Sequence, residues 1–407
     1  TSEILLIVYM VQTGFYNLSK FRTLGDVEQQ KVWNEAKSLY EYVDGDRSLI
    51  ILLYGIVTLS LILVFFLIAK SSLKQAYRLE CQSKKGEQIL TLKQELKELL
   101  NGNLHITLLT FPVLGVLMFT ILPLVFMISM AFTNYSVEGN KLVLFDWVGL
   151  ENFRKIFDFG GSLGQTFWSV LGWTMVWAVV ATFSNYILGM LLALFINWKE
   201  IRAKKMWRFC FALTVAIPHF VTLLIIKSML QPEGAVNILL RNLGLIGATQ
   251  SLPFFTDATW ARVVVILINI WVGVPYTLLQ VTGILQNIPT ELYEAARVDG
   301  AGPIVTFMKI TLPYMLFVTT PYLITTFTGN VNNFNVIFLT TEGLPRSVGS
   351  TAGKTDLLIT WLYKLTIENQ YFDVGAVVGI MTFVTLTIVS LVTFTFSGSN
   401  RNEEAFR

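Results

Sequence analysis

The chain has 407 residues, 54% of them hydrophobic and only 14% charged, with a mean hydropathy of +0.60. That is too apolar for a soluble domain, and at about 20 apolar residues per helical span the length holds a bundle of spans with modest loops but no large soluble enzyme beside it. A net charge of +3 is too small to point to nucleic acid, and Cys81 and Cys210 provide neither a disulfide framework nor a metal site.

The chain opens at Thr1 with a short apolar run from Ile4 to Val11, read as the tail of a helix truncated upstream. Runs long enough to cross a bilayer follow at 49–69, 106–132, 170–196, 210–230, 263–285, 316–339 and 374–396. With the opening run they predict an all-α integral membrane protein of about eight spans. Lys70, Lys74, Arg78, Lys84 and Lys85 crowd after the second span, and Lys199, Arg202, Lys204, Lys205 and Arg208 crowd between the fourth and fifth, so both segments belong on the cytoplasmic side. Counting spans from there puts 134–165 and 340–373 outside, and 287–313 and the tail 397–407 inside. Between Glu87 and Leu100, Ile89, Leu92, Leu96 and Leu99 recur at helical spacing among charges. They predict an amphipathic helix on the cytoplasmic face, resting on the membrane or the bundle, or docking a partner.

Catalytic signals are largely absent. His105 and His219 stand alone, and the stretch Ser350–Thr355 only imitates a phosphate loop, because Val348 occupies the place of its first glycine. The positive signal is polarity inside spans, which is costly at membrane depth unless it meets protein, water or substrate. Thr326, Asn330 and Asn333 fall at i, i+4 and i+7 and share one predicted helix face. Asn269, Gly273 and Tyr276 repeat that spacing, with Trp271 nearby and Pro275 freeing a backbone carbonyl. Neutral amides and hydroxyls suit sugar hydroxyls, and aromatic rings suit the apolar face of a pyranose. Alternatively these groups only hold helices together. No Asp, Glu, Arg or Lys lies mid-span, which argues for a neutral solute and an external energy source rather than a secondary transporter, channel or membrane enzyme.

The segment 287–313 predicts a short helix with Thr290 as N-cap and a stop near Gly300, then a turn at Gly300, Gly302 and Pro303, then a second short helix ending at Pro313. Glu294-Ala295-Ala296, three residues, Gly300, nine residues, and Ile310-Thr311-Leu312-Pro313 closely resemble the EAA loop of ABC importer permeases. The resemblance implies a type I importer permease core whose coupling helix docks into a separate ATPase subunit, with Glu294 at the contact and Gly300 setting the turn.

Trp147-Val148-Gly149-Leu150-Glu151-Asn152-Phe153, Ala131–Ser136 and Thr355–Leu358 resemble segments of the larger, F-type membrane subunit of maltose/maltodextrin importers. That likeness implies a permease of a bacterial plasma membrane for maltose- or maltodextrin-type oligosaccharides, with another neutral solute as the alternative cargo. Its partners would be a second homologous permease, two ATPase subunits holding ATP and Mg2+, an extracellular solute-binding protein and membrane lipid. Carried over residue by residue, the sugar site falls on Asn269, Val272, Gly273, Tyr276, Thr326, Asn330 and Asn333. The family's tyrosine in the span 210–230 is Val215 here, and the loop 134–165 is far too short for the large external domain of the best-known maltose permease. The expected organisation is an amino-terminal hairpin with the cytoplasmic amphipathic segment over 1–105, the permease core over 106–397, and a tail over 398–407.

Overall fold

Runs rich in Leu, Ile and Val become helices because a backbone in lipid must satisfy its own polar groups. The computed structural model describes residues 8–396 apart from 29, 36, 44, 87–93, 95–96, 98–99 and 199. Among the described residues six helices are long and apolar enough to cross a membrane, or seven when a helix pair bent by 87° is taken as one span. The opening run at 4–11 is described only from residue 8, and Ile89, Leu92, Leu96 and Leu99 of the amphipathic segment lie outside the described residues.

The chain divides into two compact units, residues 1–154 with 369–377, and residues 155–368 with 378–407. In the first unit the antiparallel strands β1 (Gln30–Asn34) and β2 (Leu39–Val43) form a hairpin that period-2 patterning did not reveal. Helix α1 (Ser48–Lys84) follows, and α2 runs over Leu104–Met130. With 37 residues, α1 is about 55 Å long. It outruns the predicted span because Lys, Arg, Glu and Gln beyond Ala69 are good helix formers and no breaker arrives before Gly86, at φ +74°. Leu24, Ile51, Leu52, Ile56 and Phe145 make the core of this unit. Asp46 locks it, bound by the Lys20 ammonium at 2.6 Å and by the amides of Asp26 and Val27, both at 3.1 Å. Burial opposes ionisation of Asp46, but Lys20 and the two amides outweigh it and hold the carboxyl below its usual range. The Trp147–Phe153 motif has a structural duty here. Asn152 is buried and donates to the carbonyls of Ala131 and Thr133 at 3.1 and 2.7 Å, while the Trp147 indole donates to the Phe21 carbonyl at 2.8 Å.

In the second unit α3 (Ser162–Asn197) packs against α6 (Ala258–Leu285), with α4 (Lys204–Ala216) and α5 (His219–Met229) between them in sequence. The single span expected at 210–230 is this bent pair: Pro218 disfavours a helical residue before it, and Ile217 is extended at φ −76°, ψ 128°. The Asp257 carboxylate caps α6, accepting from the amides of Thr259 and Trp260 at 2.9 Å. Then come α7 (Thr290–Val298), α8 (Leu312–Val331), α9 (Phe334–Thr340) and, from residue 378 onward, the larger part of α10 (Phe372–Phe396). The long polar span predicted at 316–339 is broken at Asn332 and Asn333 between α8 and α9. Two apolar clusters hold the helices together. Trp173, Trp177 and Ala181 of α3 meet Val264, Val265 and Ile268 of α6, and further along Tyr186, Met190 and Ala193 of α3 meet Leu278 and Val281 of α6 and Met315 of α8.

Candidate functional site

Two places collect the residues singled out by sequence. The first is the seam where α3, α6 and the α8–α9 break meet. Asn330 is buried, its side-chain amide donates to the Thr182 hydroxyl at 2.9 Å, and its backbone carbonyl accepts from the Trp177 indole at 3.0 Å. Asn333 stands at the break because its carbonyl oxygen can cap α9, accepting from the Val336 amide at 3.2 Å. Its NH2 reaches the Asn269 oxygen at 3.4 Å. Asn269 is buried in α6, and Gly273 one turn along leaves room for Asn185 of α3: a Cβ there would sit 2.3 Å from the Asn185 nitrogen. Small residues at such crossings are what let membrane helices approach. The Asn269 NH2 and the Asn185 oxygen, one donor and one acceptor, are buried without a protein partner.

The structure brings Asn269, Gly273, Asn330 and Asn333 into one seam, with Val272 packed against the adjacent apolar cluster and Thr326 half-buried. It does not bring Tyr276 there. That ring is 45% exposed, and the seam continues instead through Thr277, whose hydroxyl lies 3.2 Å from that of Tyr322. Measured from Gly273, which packs on Asn185, Thr277 at i+4 is turned by about 40° and Tyr276 at i+3 by about 60° the other way, so the contact line with α3 runs Asn269, Gly273, Thr277 and leaves Tyr276 to one side. Below it Tyr186 and Thr319 share a hydrogen bond of 2.8 Å. Sequence reasoning passed over the α3 side of this seam. Thr182, Asn185 and Gly189 recur at i, i+3 and i+7, a polar and small stripe that was the available signal.

The second place is the hairpin 287–313. Its first helix, α7, starts at Thr290, so Pro289 and not Thr290 holds the N-cap position, and no side chain caps it. Proline serves because its fixed φ leads into the first turn. Gly300 ends it at φ +75°, where the Ala301 amide reaches back to the Ala296 carbonyl at 2.8 Å, a closure that favours glycine. The second helix does not stop at Pro313. A wide turn over Phe307–Thr311 leads straight into α8, and the same device over Leu117–Ile121 precedes Pro123 in α2. Widening the helix by one residue moves the carbonyl that a proline ring would strike, so the helix runs on.

Ile288, Tyr293, Phe307 and Leu312 anchor the hairpin on the lower apolar cluster, and the Tyr293 hydroxyl meets that of Thr311 at 3.1 Å. Ala296 is buried, Ile310 is half-buried, and Glu294, Ala295, Gly300 and Pro313 are exposed. Val298 and Ile304 are 88% and 78% exposed, an apolar pair flanking the turn.

The Thr355–Leu358 segment also acquires a role. Asp356 is buried and binds the Lys364 ammonium at 2.7 Å, the Thr360 hydroxyl at 2.9 Å and the Gly353 amide at 2.7 Å. The stretch that imitates a phosphate loop is committed as well, since the Arg346 guanidinium donates to the carbonyls of Ser350 and Thr351 at 2.7 and 2.9 Å.

Residues 185–401 match the family described as the inner membrane component of binding-protein-dependent transport systems. The maltodextrin transport permease MdxF of Bacillus subtilis is 37% identical over 374 residues, covering 88% of this chain and 84% of the relative. The galactooligosaccharide transport permease GanP of the same organism is 34% identical over 392 residues, covering 96% of this chain and 92% of the relative. Among solved structures, a bacterial ABC transporter that imports the acidic polysaccharide alginate superposes with a TM-score of 0.61 at 22% identity, over 74% of this chain and 97% of that one. That last likeness speaks to fold alone, and the fold is that of an ABC importer permease. The apolar helices, the exposed hairpin and these relatives together make the chain a multi-pass transport subunit that belongs to the inner-membrane components of binding-protein-dependent transport systems.

Proposed function

We propose that this chain pairs with a second, homologous permease to line a pathway for neutral oligosaccharides of the maltose/maltodextrin type, handed over by an extracellular solute-binding protein. Two ATPase subunits holding ATP and Mg2+ drive the pathway by alternating access, and the 287–313 hairpin transmits their motion. The hairpin is the observation that carries this reading. It exposes Glu294, Val298 and Ile304, and an apolar pair so exposed on the cytoplasmic side is expected to be covered by another surface. Coverage by a cleft on one of the two ATPase subunits would make α7 a lever, because Tyr293 and Phe307 tie it to the lower cluster of α3, α6 and α8.

The cargo rests on the polar seam and on the names of the relatives. Asn269, Asn330 and Asn333 offer neutral groups, and the unpaired Asn269 NH2 and Asn185 oxygen match a hydroxyl that both gives and takes a hydrogen bond. Thr326 and the exposed Tyr276 complete the proposed sugar-facing set, Gly273 and Val272 serve it by packing on Asn185 and the apolar cluster behind it, and Val215 in place of a tyrosine shifts the ligand range. A galactooligosaccharide is the second reading, since the relative named for that cargo covers 96% of the chain.

The test is uptake of radiolabelled maltotriose by proteoliposomes holding the assembled transporter. Alanine at Asn330, Asn333 and Tyr276 together is expected to abolish sugar-stimulated ATPase activity while the complex still assembles. Undiminished stimulation in that variant would remove the site, and uptake of galactooligosaccharide alone would replace the cargo.

A further inference from the structure

A cleft of about 330 Å3 opens at the amino-terminal ends of α3 and α6, under the loop 347–356, on the face that charge bias places outside. Its central group is Arg262. The guanidinium lies 4.5 Å above the Trp173 ring, and Nε donates to the Lys354 carbonyl at 2.9 Å, which fixes the plane and leaves the fork of the two terminal nitrogens for a further partner. Lys354 and Asp356 also line the cleft, but the Asp356 carboxylate is already neutralised by Lys364. Two cations therefore face the cleft against one carboxylate that is spoken for. Val348, fully exposed, stands at its rim.

This is no platform for a neutral sugar. Trp173 is only 8% exposed and its face is covered by the guanidinium, so no ring remains for a pyranose to stack on. A planar, fixed guanidinium with a second cation beside it is matched to a carboxylate. We infer that the Arg262 cleft is a docking socket for an acidic side chain of the solute-binding protein, with Val348 as the apolar contact at its edge. The inference rests on the proposed function, which requires such a protein to seat on this face, and on the shortness of the 134–165 loop, which leaves the remaining outer loops to hold it.

The test titrates the solute-binding protein against the assembled transporter in lipid nanodiscs and reads both binding and ATPase stimulation. Arg262→Gln is expected to raise the half-saturating concentration about tenfold or more, to leave the saturated rate within about twofold, and to flatten the dependence on salt. Lys354→Gln keeps the backbone carbonyl that orients Arg262 and is expected to give the same pattern at about threefold, so the proposal stays testable should the arginine variant fold poorly. Unchanged half-saturation in Lys354→Gln and in a folded Arg262→Gln overturns it. A loss confined to the saturated rate, or to sugar uptake at unchanged binding-protein affinity, assigns the cleft to transport itself and also overturns it. A wild-type complex that no binding protein stimulates would instead remove the functional reading on which the socket depends.

Discussion

Single side chains decide how closely the helices of the second unit approach. Gly273 faces the Asn185 amide so tightly that one added methyl has no room, while Asn185 is itself buried. Gly273→Ala is therefore expected to cost about 1–3 kcal/mol by overpacking. Pairing it with Asn185→Ala should recover most of that loss, a non-additivity that thermal melts in detergent can read directly. If the double variant is no more stable than Gly273→Ala alone, the close approach is not the source of the cost. The Asp356–Lys364 pair works at the same scale, buried and fully hydrogen-bonded, and its eight-residue separation explains why no helix-spacing rule flagged it.

At the scale of elements, prolines determine where helices turn and where they continue. Pro218 bends the α4–α5 pair by 87°, whereas Pro313 and Pro123 each follow a widened turn and leave their helices running. The difference matters for the hairpin, because continuity from Phe307 into α8 joins the exposed turn to the helix that carries Asn330. Gly300 closes α7 at a positive φ that a β-branched side chain resists. Gly300→Val is expected to lower sugar uptake at least about tenfold with the protein still in the membrane, since the left-handed turn costs a non-glycine residue about 1–2 kcal/mol. Glu294→Ala should uncouple as strongly without that strain. Uptake and ATPase rates measured side by side separate the two, and full uptake in both variants would dismiss the hairpin as the coupling element.

For the whole molecule the informative feature is what remains uncovered. Among the described residues none of the most apolar stretch of α2 is buried, and Val298 and Ile304 stand open at the hairpin. Lipid suffices for α2, but not for an apolar pair beside water. Proteoliposomes containing this chain alone are accordingly expected to take up no maltotriose, and co-reconstitution with the second permease, the ATPase subunits and the binding protein should restore uptake. Transport by the isolated chain would show that its own residues carry the work.

Composition and the length of apolar runs sufficed for the membrane class, the helical fold and most span positions, because lipid admits so few ways of satisfying a backbone. The hairpin was legible too, in Pro289, Gly300 and the Glu294-Ala295-Ala296 triplet, since turns and their glycines are local. The seam was only half legible. Periodicity named Asn269, Asn330 and Asn333, yet which polar group faces which depends on helix crossings, on the bend at Pro218 and on the break at Asn333. Those are settled by packing between segments up to 153 residues apart, as in the Trp177 to Asn330 hydrogen bond. The Arg262 cleft was invisible for the same reason: Trp173, Arg262 and Lys354 lie on separate elements, and only folding brings a guanidinium, an indole and a carbonyl within a few ångströms.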